Sequence, residues 1–249
     1  MNEPLYLNEG LYWQGMTLLD FARGPAFRWS VAIFIVGVVW RLTVLILASR
    51  KRLEPPKGAP AAGGAKAVAT RSTPPGEFYG GLTTLLTRSA PAHELEKNIV
   101  FQHYSGYAWH ISMFIILFLG APHMLFFADI VGFTWPTLPG WIITFFTVVT
   151  MGILLVLLAR RLMNPVLRQI STWDDYISWV IAFVPFLTGF FSVAHITPFM
   201  DYETMLGLHI LSVCALLIWF PFGKLMHALV IWPSRYKVGA AFARRGVRA

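Results

Sequence analysis

The chain has one cysteine and few charges. With only Cys214 in 249 residues, the sequence excludes an intrachain disulfide, a C-x-x-C-H haem attachment and a thiolate-held iron–sulfur cluster within this chain. Charged residues make up 13% of it, about half the 25% or so of a soluble domain. No run has the strict polar/apolar alternation of a barrel strand, so helices are the expected way across a bilayer. No internal repeat is present, and no stretch reads as a soluble domain able to carry out cytoplasmic chemistry. The N-terminus lacks a charged n-region and a small-residue cleavage site, so no cleaved signal peptide is expected. What is abundant is apolar: 56% of residues, with a mean hydropathy of +0.60. The net charge of +8 would suggest nucleic acid in a soluble protein; here it reports membrane orientation, and no nucleic-acid partner is expected.

A hydrocarbon core about 30 Å thick needs about 20 apolar residues per helix. Five blocks qualify: Trp29–Ala48, Tyr107–Phe127, Trp141–Ala159, Ile177–Ala194 and Met205–Ile231. Lys and Arg then orient them. Eight fall in 49–100, three in 160–168 and five in 235–248, against Arg23 and Arg28 on the other side. The expected architecture is therefore all-α and integral to the membrane. It is a five-transmembrane-helix bundle in the inner (cytoplasmic) membrane, N-terminus outside and C-terminus cytoplasmic. Residues 1–28 form an outer segment in which Met16–Ala22 reads as an interfacial helix. Residues 29–231 form the membrane domain, with a cytoplasmic linker over 49–100. Within that linker, 53–76 is rich in Pro, Gly and Ala, and Phe78–Arg88 reads as a surface helix. Residues 232–249 are a basic cytoplasmic tail.

Ionisable groups at membrane depth are costly and mark function by default. Five of the seven histidines lie in or at the ends of these blocks: His110, His123, His195, His209 and His227. The second and fifth blocks run in opposite directions, so depth pairs His110 with His227 near the cytoplasmic face and His123 with His209 near the outer face. Two imidazoles facing each other across a bundle can clamp a flat haem iron from both sides, each with its second ring nitrogen held by a hydrogen bond. Two such pairs, stacked along the membrane normal, make a route for electrons. His209 and His227 are 18 residues apart, five turns on one face and about 27 Å along a straight helix. His110 and His123 are 13 apart, about 140° in azimuth on a straight helix, so the second block needs a kink, for which Gly120 and Pro122 are placed. Pro221 is a second candidate bend. Gly106, Gly120 and Gly207 are positions where a macrocycle can approach the backbone. The alternative for each histidine is a hydrogen bond to a neighbouring helix. Zinc is disfavoured because no acidic or cysteine partner is near.

The fifth block, LHILSVCALLIWFPFGKLMHAL, resembles the gamma, cytochrome b subunit of respiratory nitrate reductases. Leu-His, the FPF triplet, a basic residue and Leu-x-His recur there in register. The similarity extends to RRLMNPVLRQISTWDDYI, to WH…GAPH in the second block and to VVWRL in the first, and so covers most of the chain from about residue 28. Related subunits occur in membrane complexes associated with dissimilatory sulfite reductase and heterodisulfide reductase. The resemblance implies five helices, an outside N-terminus and two b haems on His110, His123, His209 and His227. The interval between His110 and His123 is longer than in the nitrate reductase subunits, which points to a different catalytic partner.

On that basis the expected function is a dihaem membrane-anchor subunit. It exchanges electrons between the quinone pool and a cytoplasmic iron–sulfur subunit, itself joined to a catalytic subunit, and any quinol dehydrogenase activity belongs to the complex. Quinol oxidation near the outer haem needs proton acceptors, for which His195, Asp201 and Glu203 are candidates; the alternative is an interfacial histidine and two carboxylates favouring a helix N-terminus. Arg41 and Lys224 each have two readings, a salt bridge to a haem propionate or snorkelling to headgroups. Asp174 and Asp175 are expected to start the fourth helix. A rival from another class is a haem-free transporter or channel subunit with a histidine proton relay; no interrupted helices in repeated halves support it. A passive anchor is the third reading.

Overall fold

The computed structural model describes residues 16–50, 74–88, 93–195 and 200–244. All regular elements among them are helical: α1 (Leu18–Phe21), α2 (Phe27–Arg50), α3 (Pro74–Thr87), α4 (His93–Leu119), α5 (Ala121–Val131), α6 (Gly140–Met163), α7 (Pro165–Ile170), α8 (Trp173–Ala194), α9 (Tyr202–Trp219) and α10 (His227–Arg244). Residues 1–15, most of the 53–76 linker and the end of the basic tail lie outside the described residues. The chain divides into two compact units, Met1–Val36 with Tyr104–Lys224, and Gly37–His103 with Leu225–Ala249.

Among the described residues, Leu18–Leu47, Gly140–Met163, Trp173–Ala194 and Tyr202–Trp219 are each long and apolar enough to cross a bilayer. The bent pair Ile99–Leu119 and Ala121–Val131 makes up to a fifth crossing. Their surfaces carry exposed Trp29, Val36, Trp40, Trp141, Phe145 and Val148. Apolar area on that scale is intolerable in water and matches lipid. The protein is a multi-pass membrane protein.

Three spans differ in detail from the sequence expectation. A short helix does form within Met16–Ala22, as α1, and it runs on without a gap toward the first span. It starts with a Thr17–Asp20 capping box and passes through a π turn, Ala22–Ala26, directly into α2. Pro25 lies inside that turn, where its missing N–H suits a widened register. The helix of the second span begins at His93, well before the apolar block, because a helix continues through polar residues once it has been nucleated. The fifth block is not one helix. Pro221 and Gly223 end α9 at Trp219, whose carbonyl accepts from Phe222 N–H and Gly223 N–H at 3.0 and 2.9 Å. A short 3₁₀ turn, Lys224–Met226, precedes α10. The five-turn count from His209 to His227, which needs one continuous helix, therefore does not apply, because proline cannot donate the bond such a helix needs there.

In the first unit α8 is central, packed against α6 and α9, while α1 and the π turn pack on α9. Contacts between helices are made by small or hydroxyl residues, as membrane packing favours. Ser178, Ser192, Thr147 and Thr150 are buried. Thr147, Thr150 and Ser192 return their hydroxyls to their own helix carbonyls four residues back. Two indoles cross between helices, Trp179 Nε1 donating to Leu154 O at 2.9 Å and Trp219 Nε1 to Ser178 Oγ at 3.0 Å. Gly207 serves packing: a Cβ there would come within 3.2–3.4 Å of Leu18 and Leu19, so its absence lets α1 lie against α9. In the second unit α3 packs on α10 through Gly80, Gly81 and Gly239, where any side chain would strike Ala243, Tyr236 or Thr84.

One polar cluster closes an end of the first unit. Asp175, in the first turn of α8, bonds Lys224 Nζ at 2.5 Å and Arg161 at 3.1 Å. It also accepts from Thr172 N–H at 2.9 Å. Asp174 accepts from Ser178 Oγ at 3.0 Å. Lys224 is thus an ion-pair partner, which neither sequence reading of it anticipated. Arg161 reaches Ser171 Oγ at 2.8 Å as well. The Asp175 side chain is 9% exposed, so removing its charge leaves two cations without their anion. Asp175→Asn is expected to cost about 1–2 kcal/mol, limited because both cations are partly solvated. Thermal unfolding in detergent reads this as a lowered midpoint.

Candidate functional site

The site is built by a helix break. Pro122 has no N–H, so the carbonyl of Phe118 loses its helical partner; Trp135 Nε1 donates to it at 2.6 Å. Leu138 N–H takes the next carbonyl, Leu119 O, at 2.9 Å. Gly120 between them is extended, φ −76° and ψ 128°, and the chain turns by 63° into α5. That turn re-aims His123 out of the 140° offset a straight helix would impose. Its Nδ1 bonds back to Ile116 O at 2.9 Å, and its ring centre lies 6.1 Å from that of His209 on α9, with the ring planes at 35°.

His209 is seated by α8. Its Nδ1 is 3.2 Å from Thr188 Oγ1, and a Cβ on Gly189 would fall 3.0 Å from its Cε1. Both imidazoles are therefore held through Nδ1, which leaves Nε2 for a ligand bond. Such an outer-shell hydrogen bond is the usual way a metal-binding histidine is oriented. Two imidazoles sharing one metal stand about 6 Å apart between ring centres, given metal–nitrogen bonds of about 2 Å. The donor set and spacing fit an axial bis-histidine iron. No cluster of three or more His, Cys, Asp or Glu able to hold a metal ion occurs among the described residues.

The remaining candidates fall elsewhere. His110, on α4, is half-buried; its Nδ1 bonds Gly106 O at 2.6 Å and its ring meets Trp109 edge-on at 4.2 Å. Trp109 Nε1 is buried without a hydrogen-bond partner among the described residues. His227 is the first residue of α10 and belongs to the second unit, as does Arg41, which is exposed on α2. His195 caps α8 in the left-handed conformation, φ 51°, with its ring centre 5.2 Å from that of Tyr202.

Asp201 is the N-cap of α9, its two oxygens taking Thr204 N–H at 2.9 Å and Thr204 Oγ1 at 2.7 Å. Those bonds, the backbone one first, hold its carboxyl below the ordinary value, so it stays ionised and committed to the cap at neutral pH. Glu203 sits exposed in the same first turn. A cavity of about 440 Å³ opens between the π turn and α9, lined by Phe21, Pro25, Trp29, Leu211 and Cys214 among others; none of the candidate residues borders it. Thr188, Gly189 and the Ile116 carbonyl escaped the sequence reading, because a threonine 21 residues before a histidine carries no local signal. The Thr-Gly step on a helix facing His209 was the only hint.

The chain matches no family model and no solved structure. It is 30% identical over 141 residues, 56% of its length, to a curated protein of Nitratidesulfovibrio vulgaris (strain Hildenborough) whose name says only that it is a protein. The chain spans 61% of the length of that relative.

Proposed function

We propose that this chain is a dihaem cytochrome b, the membrane anchor of a respiratory oxidoreductase, resembling the gamma subunits of nitrate reductases and their relatives. The observation that carries the reading is the His123–His209 pair: two imidazoles 6.1 Å apart, each engaged through Nδ1. His123 and His209 would hold a b haem there, and it would supply one-electron transfer rather than oxygen chemistry. The resemblance assigns the second haem to His110 and His227, and the indole N–H of Trp109 beside His110, without a hydrogen-bond partner among the described residues, offers a donor to an acidic group of a cofactor held by His110.

In this reading the N-terminus is outside the inner membrane and the basic loops are cytoplasmic. His123 and His209 then lie toward the outer face, where quinol is oxidised and its protons leave. His195, beside Tyr202, is the proton acceptor best placed for this, since Asp201 is tied to its helix. Arg41 is assigned to a haem propionate. Electrons reach an iron–sulfur subunit on the cytoplasmic side, which serves a separate catalytic subunit. Moving a negative charge inward against the membrane potential costs about 2.3 kcal/mol per 100 mV, so the reaction conserves energy when the acceptor is sufficiently oxidising.

The purified full chain tests this directly. Dithionite-reduced protein is expected to show b-type absorption bands and about two haems per chain. Folded, monodisperse protein that stays colourless after expression with ample haem contradicts the proposal and favours the rival histidine proton relay.

A further inference from the structure

We propose that Thr188 is the positioning residue that sets the reduction potential at the His123–His209 site; this rests on the haem reading above. Thr188 Oγ1 lies 2.8 Å from Val184 O and 3.3 Å from Pro185 O, so its single hydrogen is given to its own helix. Its lone pairs face His209 Nδ1 at 3.2 Å and Ser212 Oγ at 3.3 Å. Ser212 spends its hydrogen on His209 O at 2.6 Å. The threonine oxygen is thus left as an acceptor, and an acceptor at that place selects the tautomer with hydrogen on Nδ1 and the lone pair on Nε2. Gly189 beside it keeps the ring from being pushed off, since a Cβ there would sit 3.0 Å from His209 Cε1 and 3.3 Å from Nδ1.

The two sides of the site are unequal. His123 donates to a main-chain carbonyl, as His110 does, and no side-chain substitution removes that acceptor. His209 has the Thr188 hydroxyl beside the main-chain carbonyl of Pro185, and substitution removes the hydroxyl share. An acceptor on the distal N–H makes the imidazole a stronger base and favours the more positive iron. Thr188 therefore holds the potential of this site down, and Thr188→Val, of similar shape and without the oxygen, raises it.

Equilibrium redox titration of the full chain, followed by its b-type absorption, reads this. In Thr188→Val one of two components is expected to shift upward by up to a tenfold change in its reduction equilibrium, about 59 mV for one electron. The other component stays in place. Thr188→Ser restores the original value, and Ser212→Ala, which spares the threonine–imidazole bond, leaves it unchanged. Unshifted titration of Thr188→Val with both haems present overturns the assignment, whereas a colourless wild-type chain overturns the haem reading instead. If Thr188→Val loses the haem, Thr188→Ser must recover both haem and potential; failure to recover them contradicts the role given to the hydroxyl.

Discussion

Replacing His209 with alanine is expected to remove one of two haems and to abolish quinol-linked reduction of the remaining one. In the proposed reading His209 and His123 together hold the iron, and losing one leaves the other as the only protein bond to it from this pair. Even the loss of an outer-shell partner commonly lowers metal affinity 10–100-fold; loss of the ligand itself should cost more. Haem content per chain and the amplitude of the reduced b bands measure the effect. The fold should persist, because α9 keeps its cap at Asp201 and its contacts with α8 and α1. A chain that retains full haem content after His209→Ala, and equally after His123→Ala, does not use this pair.

The second large effect is expected from a residue that touches no ligand. Gly120→Val adds a Cβ that would stand 2.7 Å from Ile116 O and 3.4 Å from His123 Nδ1. Ile116 O is main chain and cannot swing aside as a side chain would. It also anchors the His123 ring, so displacing it withdraws the acceptor that orients the imidazole. The variant should lose the same haem as His209→Ala, at least tenfold in occupancy at limiting haem, by analogy with outer-shell losses elsewhere. The diagnostic result is identity of the missing component: the same potential disappears from the redox titration in both variants. Loss of the other component, or of neither, would separate the helix break from the His123 site.

Much of the membrane architecture was readable from hydropathy, because a span is set by the length of an apolar run. The blocks around residues 29–48, 141–159 and 177–194 coincide closely with helices for that reason. Helix ends were less legible: α4 starts in polar sequence at His93, where hydropathy carries no information. The fifth block failed at Pro221 and Gly223, whose cost a hydropathy window does not register. The break at Gly120–Pro122 was legible because the azimuth arithmetic demanded it, and the structure bends there by 63°. Depth singled out His123 and His209, whose rings the structure brings together. Their supports were not legible, since Ile116 acts through its backbone and Thr188 comes from another helix. Lys224 likewise found its carboxylate 49 residues away, a separation that no sequence window spans.

A density map of the purified full chain, resolved well enough to show side chains, tests the central claim most directly. The account predicts a flat macrocycle between His123 and His209, with iron on the line joining their Nε2 atoms and Thr188 Oγ1 still within hydrogen-bonding distance of His209 Nδ1. Two imidazoles in direct contact, or bridged by water with no macrocycle between them, would contradict it.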